Sequence, residues 1–70
     1  MSYEDLSFWL AWCIEEYGAE KKMIASDVAE LFENRKIFDY LSENVEVLHT
    51  QGRDYILGSI DDFLTSHKGE

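Results

Sequence analysis

The sequence predicts an all-α protein: a compact bundle of about four short helices in a single domain. Three observations predict it. Apolar residues recur at helical spacing in four successive segments. The one segment that alternates like a strand, Val45 to Val47, has no second strong strand to pair with, and a lone strand is not a stable element. The 70 residues contain no proline, no low-complexity linker and no internal repeat, which fits one domain.

The first helix is predicted over Tyr3–Tyr17. Leu6, Trp9, Leu10, Cys13, Ile14 and Tyr17 share one face. Ser2 is placed to cap it, with Asp5 three residues on in a capping-box-like position. Gly18 follows the last apolar position and is expected to stop the helix. Phe8, Ala11 and Trp12 form a second apolar flank, so the helix is apolar around more than half its circumference. That pattern fits a central place in the bundle, or Phe8 and Trp12 facing a partner or a second copy.

Ala19 to Lys22 is a polar connection, and Met23 and Ile24 lead into a second helix with Ser26 or Asp27 as its N-cap. Val28, Leu31 and Phe32 make its stripe. Asn34, Arg35 and Lys36 are expected to end it, Asn34 because asparagine tolerates the left-handed region. A third helix starts near Lys36, with Ile37, Phe38, Leu41, Val45 and Leu48 at helical spacing, and Val45 to His49 read as its end.

The last helix has the clearest stripe: Ile56, Leu57, Ile60, Phe63 and Leu64. Gly52 either ends the preceding segment with positive φ or sits at the N-cap, and Thr50 competes for the cap. Gly58 inside the helix should cost about 1 kcal/mol relative to alanine, which a close helix crossing would explain. His67 and Lys68 suit the negative end of the helix dipole, and Gly69 a stop.

Charge narrows the partners. With 15 acidic and 6 basic residues the net charge is −9. Free nucleic acid and anionic membrane surfaces are not expected ligands, because both are bound through basic contacts. A basic protein partner is compatible with this charge. Yet 46% of residues are hydrophobic and 14% aromatic, generous for so small a core. The surplus points to a surface for a partner or for self-association. No apolar run approaches the roughly 20 residues of a membrane span, and no signal peptide is expected, because acidic residues interrupt the first apolar run. The expected location is cytoplasmic.

No catalytic centre or cofactor is expected. Cys13, His49 and His67 lack ligand-like spacing, and no CxxC, HExxH or EF-hand pattern occurs. Cys13 lies on the core stripe, where a thiol acts as a small hydrophobe. Glu15–Glu16 and Asp61–Asp62 are adjacent pairs that point about 100° apart on a helix, so neither is a preformed acid/base dyad. His49 reads either as a cap that donates to the last carbonyls of its helix or as a recognition residue. Tyr40 and Tyr55 are expected to be partly buried with their hydroxyls at the rim, and Tyr3 exposed.

At Leu48-His49-Thr50-x-Gly52-x-x-Tyr55-Ile56, followed by Ile60-Asp61, the chain resembles a family of very small bacterial proteins of unknown function. The likeness extends to Glu15-Glu16-Tyr17, to Val28, Leu31 and Phe32, and to Phe38-Asp39-Tyr40-Leu41. Arg53 stands where a proline often follows the glycine, and Ser59 where an acidic residue often precedes the isoleucine. Genes of that family often lie beside genes for proteins similar to ADP-ribosyltransferases, which implies an antitoxin-like or accessory role. The combined expectation is a non-enzymatic protein–protein interaction module. Its contact would be drawn from Phe8, Trp12, His49, Thr50, Gly52, Tyr55 and Asp61. A homo-oligomeric structural protein is the alternative, and a small ligand-binding protein a more distant one.

Overall fold

Helix α1 spans Tyr3–Lys21, α2 Ala25–Asn34, α3 Ile37–Glu43, α4 Val45–Leu48 and α5 Arg53–Ser66 in a computed structural model that describes residues 2–66. Met1 and the residues to which the helix-end signals His67, Lys68 and Gly69 belong lie outside the described residues. Four of the five elements have seven or more residues, and no strand occurs among the described residues. The radius of gyration is 11.3 Å, against about 11 Å for a compact chain of this length.

The start of α1 follows its sequence signals. The Ser2 side chain accepts from the Asp5 backbone N–H at 3.2 Å, and Glu4 and Asp5 occupy the positive end of the helix. Its end does not. The helix runs through Gly18 to Lys21, and Lys22 takes the left-handed C-cap with φ 59° and ψ 44°. Gly18 is buried and serves close approach: a Cβ there would stand 2.8 Å from the Met23 carbonyl oxygen and 3.4 Å from Val28 Cγ2. The Met23 backbone N–H donates to the Gly18 carbonyl at 2.9 Å, which closes the turn back toward α2.

Helix α2 begins two to three residues early. Ile24, with extended backbone, is the N-cap; its carbonyl accepts from the Asp27 and Val28 N–H groups, and no side chain caps the helix. Ser26 and Asp27 are therefore inside the helix. At the far end Asn34 remains helical, and Lys36 adopts the left-handed conformation at φ 60° before α3.

Asn44 divides the expected third helix in two. Its backbone leaves the helical region at φ −115°, and its side-chain amide donates to the Tyr40 carbonyl at 2.7 Å. Val45–Leu48 then forms a separate short helix, so the segment is neither strand nor a direct continuation of α3. Asparagine competes for nearby backbone groups in this way, which is why it interrupts helices. Gly52 stands at the N-cap position of α5, its carbonyl accepting from the Ile56 N–H, with φ outside the left-handed region. Thr50 does not cap α5; its hydroxyl donates backward to the Val47 carbonyl at 2.8 Å. Gly58 is exposed with no atom near its missing Cβ, so no helix crosses there.

The core is built around Phe32, which is fully buried with Cys13, Val28, Ile37, Leu41 and Ile60. Tyr17 and Phe38 meet the Phe32 ring edge-on at 5.5 Å and 5.6 Å between centroids. The α1 helix packs against α2, α3 and α5. It commits one side to these contacts and leaves the other exposed. Phe8 on its opposite side is 74% exposed, and Trp12 is 36% exposed.

Candidate functional site

The inner face of α1 carries Cys13, Tyr17 and Gly18, all buried. At 100° per residue, Asp5, Phe8, Trp12, Glu15 and Ala19 then fall along the outer line of the helix, and each is exposed. Trp9 is rotated between these two faces and half-buried. The indoles of Trp9 and Trp12 thereby form one wall of a shallow groove of about 320 Å³. The other wall comes from His49, Gln51 and Arg53 in the α4–α5 turn, with the buried side chain of Ile56 behind them.

Two local devices hold this turn in shape. The His49 Nδ1–H donates to the Val45 carbonyl, so the imidazole caps α4 and leaves Nε2 as the other ring position. The Thr50 hydroxyl closes on Val47. Arg53 then ties the turn to α1. Its Nε donates to Glu16 Oε1 at 2.7 Å, Nη1 to Glu20 Oε1 at 3.2 Å and Nη2 to the Glu16 carbonyl at 3.4 Å. The hydrogen bond to Glu16, supported by Glu20, holds the guanidinium above its usual range. Its charge is engaged by carboxylates of the same chain, so the groove presents aromatic and neutral polar surface rather than an anion site.

Of the residues the sequence nominates, Trp12 and His49 line the groove together. Phe8 lies one helical turn from Trp12 on the outer line. Thr50 and Gly52 belong to the turn and are exposed, but do not line the groove. Tyr55 is 58% exposed on α5, more open than the half-buried position expected.

Asp61 stands apart. It accepts from the Tyr17 hydroxyl at 2.9 Å and from Lys21 Nζ at 2.9 Å, and the Lys21 ammonium lies 5.6 Å from the centre of the Tyr17 ring. This is a bond between α1 and α5 over the core. Burial, the hydrogen bond to Asp61 and the Asp61 charge together push the Tyr17 phenol up to about 12.

Sequence reasoning missed Trp9, Gln51, Arg53 and Ile56 as groove residues. Arg53 carried a signal: it is one of 6 basic residues among 15 acidic ones. Its closest carboxylate partners, however, Glu16 and Glu20, are 37 and 33 residues away in the chain.

The chemistry available elsewhere is limited. Cys13 is wholly buried, and burial pushes its thiol up to about 12, far from the thiolate form that nucleophilic attack requires. Among the described residues no three His, Cys, Asp or Glu side chains converge as a metal site would require, and no helix is long and apolar enough to cross a membrane.

Residues 8–67 match the model of a family described as a protein of unknown function, DUF3791, and the chain belongs to that family. No curated protein and no solved structure matches it.

Proposed function

We propose that this member of the DUF3791 family is a non-enzymatic protein–protein interaction module, working in the bacterial cytoplasm through the outer face of α1 and the α4–α5 turn. The observation that carries the reading is the placement of Phe8 and Trp12. The Phe8 ring is 74% exposed on a well-formed helix, and the Trp12 indole beside it borders a groove. Large aromatic side chains held on a rigid element at a concave edge are what interaction hot spots use. The Arg53 bonds to Glu16 and Glu20 fix both groove walls before any partner arrives, which lowers the ordering cost of binding.

The resemblance at Leu48-His49-Thr50 and Gly52 supports a narrower identity for the partner: an ADP-ribosyltransferase-like protein encoded nearby, neutralised or positioned by this chain. The test is co-expression with that neighbour, followed by size-exclusion chromatography with light scattering. A stable hetero-complex, lost in a Phe8→Ser, Trp12→Ala double variant that still folds, is the expected result. A chain that stays alone, or that assembles only with copies of itself, overturns the reading and leaves the homo-oligomeric alternative.

A further inference from the structure

The outer line of α1 has a charge pattern that selects among occupants. Going along it, Asp5 precedes the aromatic pair Phe8 and Trp12, and Glu15 follows it. Glu4 adds a second exposed carboxylate at the first end. No hydrogen bond or ion pair within the described chain engages the Asp5 or Glu15 carboxylate, whereas Glu16 and Glu20, on the side toward α5, are taken up by Arg53. The apolar strip is thus bracketed by carboxylates about 15 Å apart at 1.5 Å rise per residue.

Self-pairing is disfavoured by this pattern. An antiparallel two-fold centred between Phe8 and Trp12 sets Asp5 of one copy against Glu15 of the other. A parallel pairing sets Asp5 against Asp5 and Glu15 against Glu15. Either way like charges oppose each other at both ends of the contact, on molecules that each carry −9 overall. An anionic membrane meets the same repulsion.

We propose that the strip receives a basic amphipathic helix of a partner protein. Its apolar side chains cover Phe8 and enter the groove beside Trp12, and two cationic clusters about ten residues apart meet Asp5 and Glu15. This rests on the interaction-module reading and names the partner's chemistry. Carboxylates at the rim speed association and set register, while the aromatic centre supplies the contact that lasts.

The test uses two synthetic helical peptides that share a Leu-rich stripe. One carries Lys pairs ten residues apart, the other Glu pairs at the same positions. Calorimetry and amide chemical-shift mapping on the full chain are the readouts. The Lys peptide is expected to bind at least about tenfold more tightly, with affinity falling as salt rises. Shifts should centre on residues 5–15 and 49–53. The Asp5→Lys, Glu15→Lys variant, checked for an unchanged melting curve, should reverse the preference. Failure of the Lys peptide to bind, equal binding of both peptides, shifts elsewhere, or an unreversed preference overturns the inference. The module reading is judged separately, by the complex with the neighbouring gene product. If that complex forms and is indifferent to Glu15→Lys, the module stands and the basic-helix partner does not.

Discussion

Tyr17 and Trp12 sit five residues apart on the same helix and meet opposite fates. Tyr17 is 4% exposed; it packs on Phe32 and closes its hydroxyl onto Asp61 across the α1–α5 seam. Trp12 lies on the outside, 36% exposed and bordering a groove. The inner face of α1 is what the fold consumes, and the outer face is what the fold leaves over. An apolar count cannot separate the two, because α1 spends large apolar side chains on both. The contrast predicts that changes on the inner face show up as lost stability, while changes on the outer face show up as lost binding alone.

The largest effect should come from Tyr17→Ala. Removing a buried aromatic costs about 3–5 kcal/mol, and Asp61 loses one of its two donors. A domain of this size has roughly that much stability in total, so the variant should lack a cooperative thermal transition by circular dichroism. A native-like transition would mean that α1 is not anchored through its inner face.

Alkaline pH should act on the same face. The thiol of Cys13 is raised from 9.0 to about 12 and the phenol of Tyr17 from 10.0 to about 12. Both groups hold their protons more tightly when folded. Their contribution is therefore intact below the unfolded values and drains away as pH climbs through them toward about 12. Urea midpoints should fall between about pH 9 and pH 12, and Tyr17→Phe, which keeps the ring and removes the proton, should fall less. Equal slopes in the two proteins would remove the Tyr17 phenol from the account.

The glycines give a sharper version of the comparison, since both lie inside helices. Gly18→Ala gains about 1 kcal/mol of helix propensity, but its new methyl group meets a backbone carbonyl that must move, so a net loss of about 1 kcal/mol is expected. Gly58→Ala meets nothing and should gain about 1 kcal/mol. Opposite shifts in melting temperature are the check, and shifts of the same sign would break the distinction between packed and open helix faces. The smallest effect belongs to the outer line. Phe8→Ser should change unfolding free energy by no more than about 0.5 kcal/mol in urea titrations, while removing partner binding.

The helical class, the N-cap at Ser2 and the stripe of α5 were legible because each is a local pattern: a spacing, or a hydroxyl three residues before a free N–H. The helix ends were not. Gly18 has the right type and place for a stop, yet Lys22 and Lys36 take the left-handed positions. The choice was made by contact between Gly18 and Met23, not by backbone preference. The groove was half legible. The residue types of Trp12 and His49 point to the groove; that of Asp61 is as suggestive, yet Asp61 is spent on Tyr17 and Lys21. Arg53 escaped notice because its meaning depends on Glu16 and Glu20, which only folding brings near.

The burial of Cys13 has a practical side. It is the only sulfhydryl in the chain, it is sealed beneath the helices, and at neutral pH almost none of it is in the form that reacts. A thiol reagent in solution must wait for the helices to part. Its rate of uptake then counts those openings, so the native chain carries an internal clock for its own breathing, with no label added.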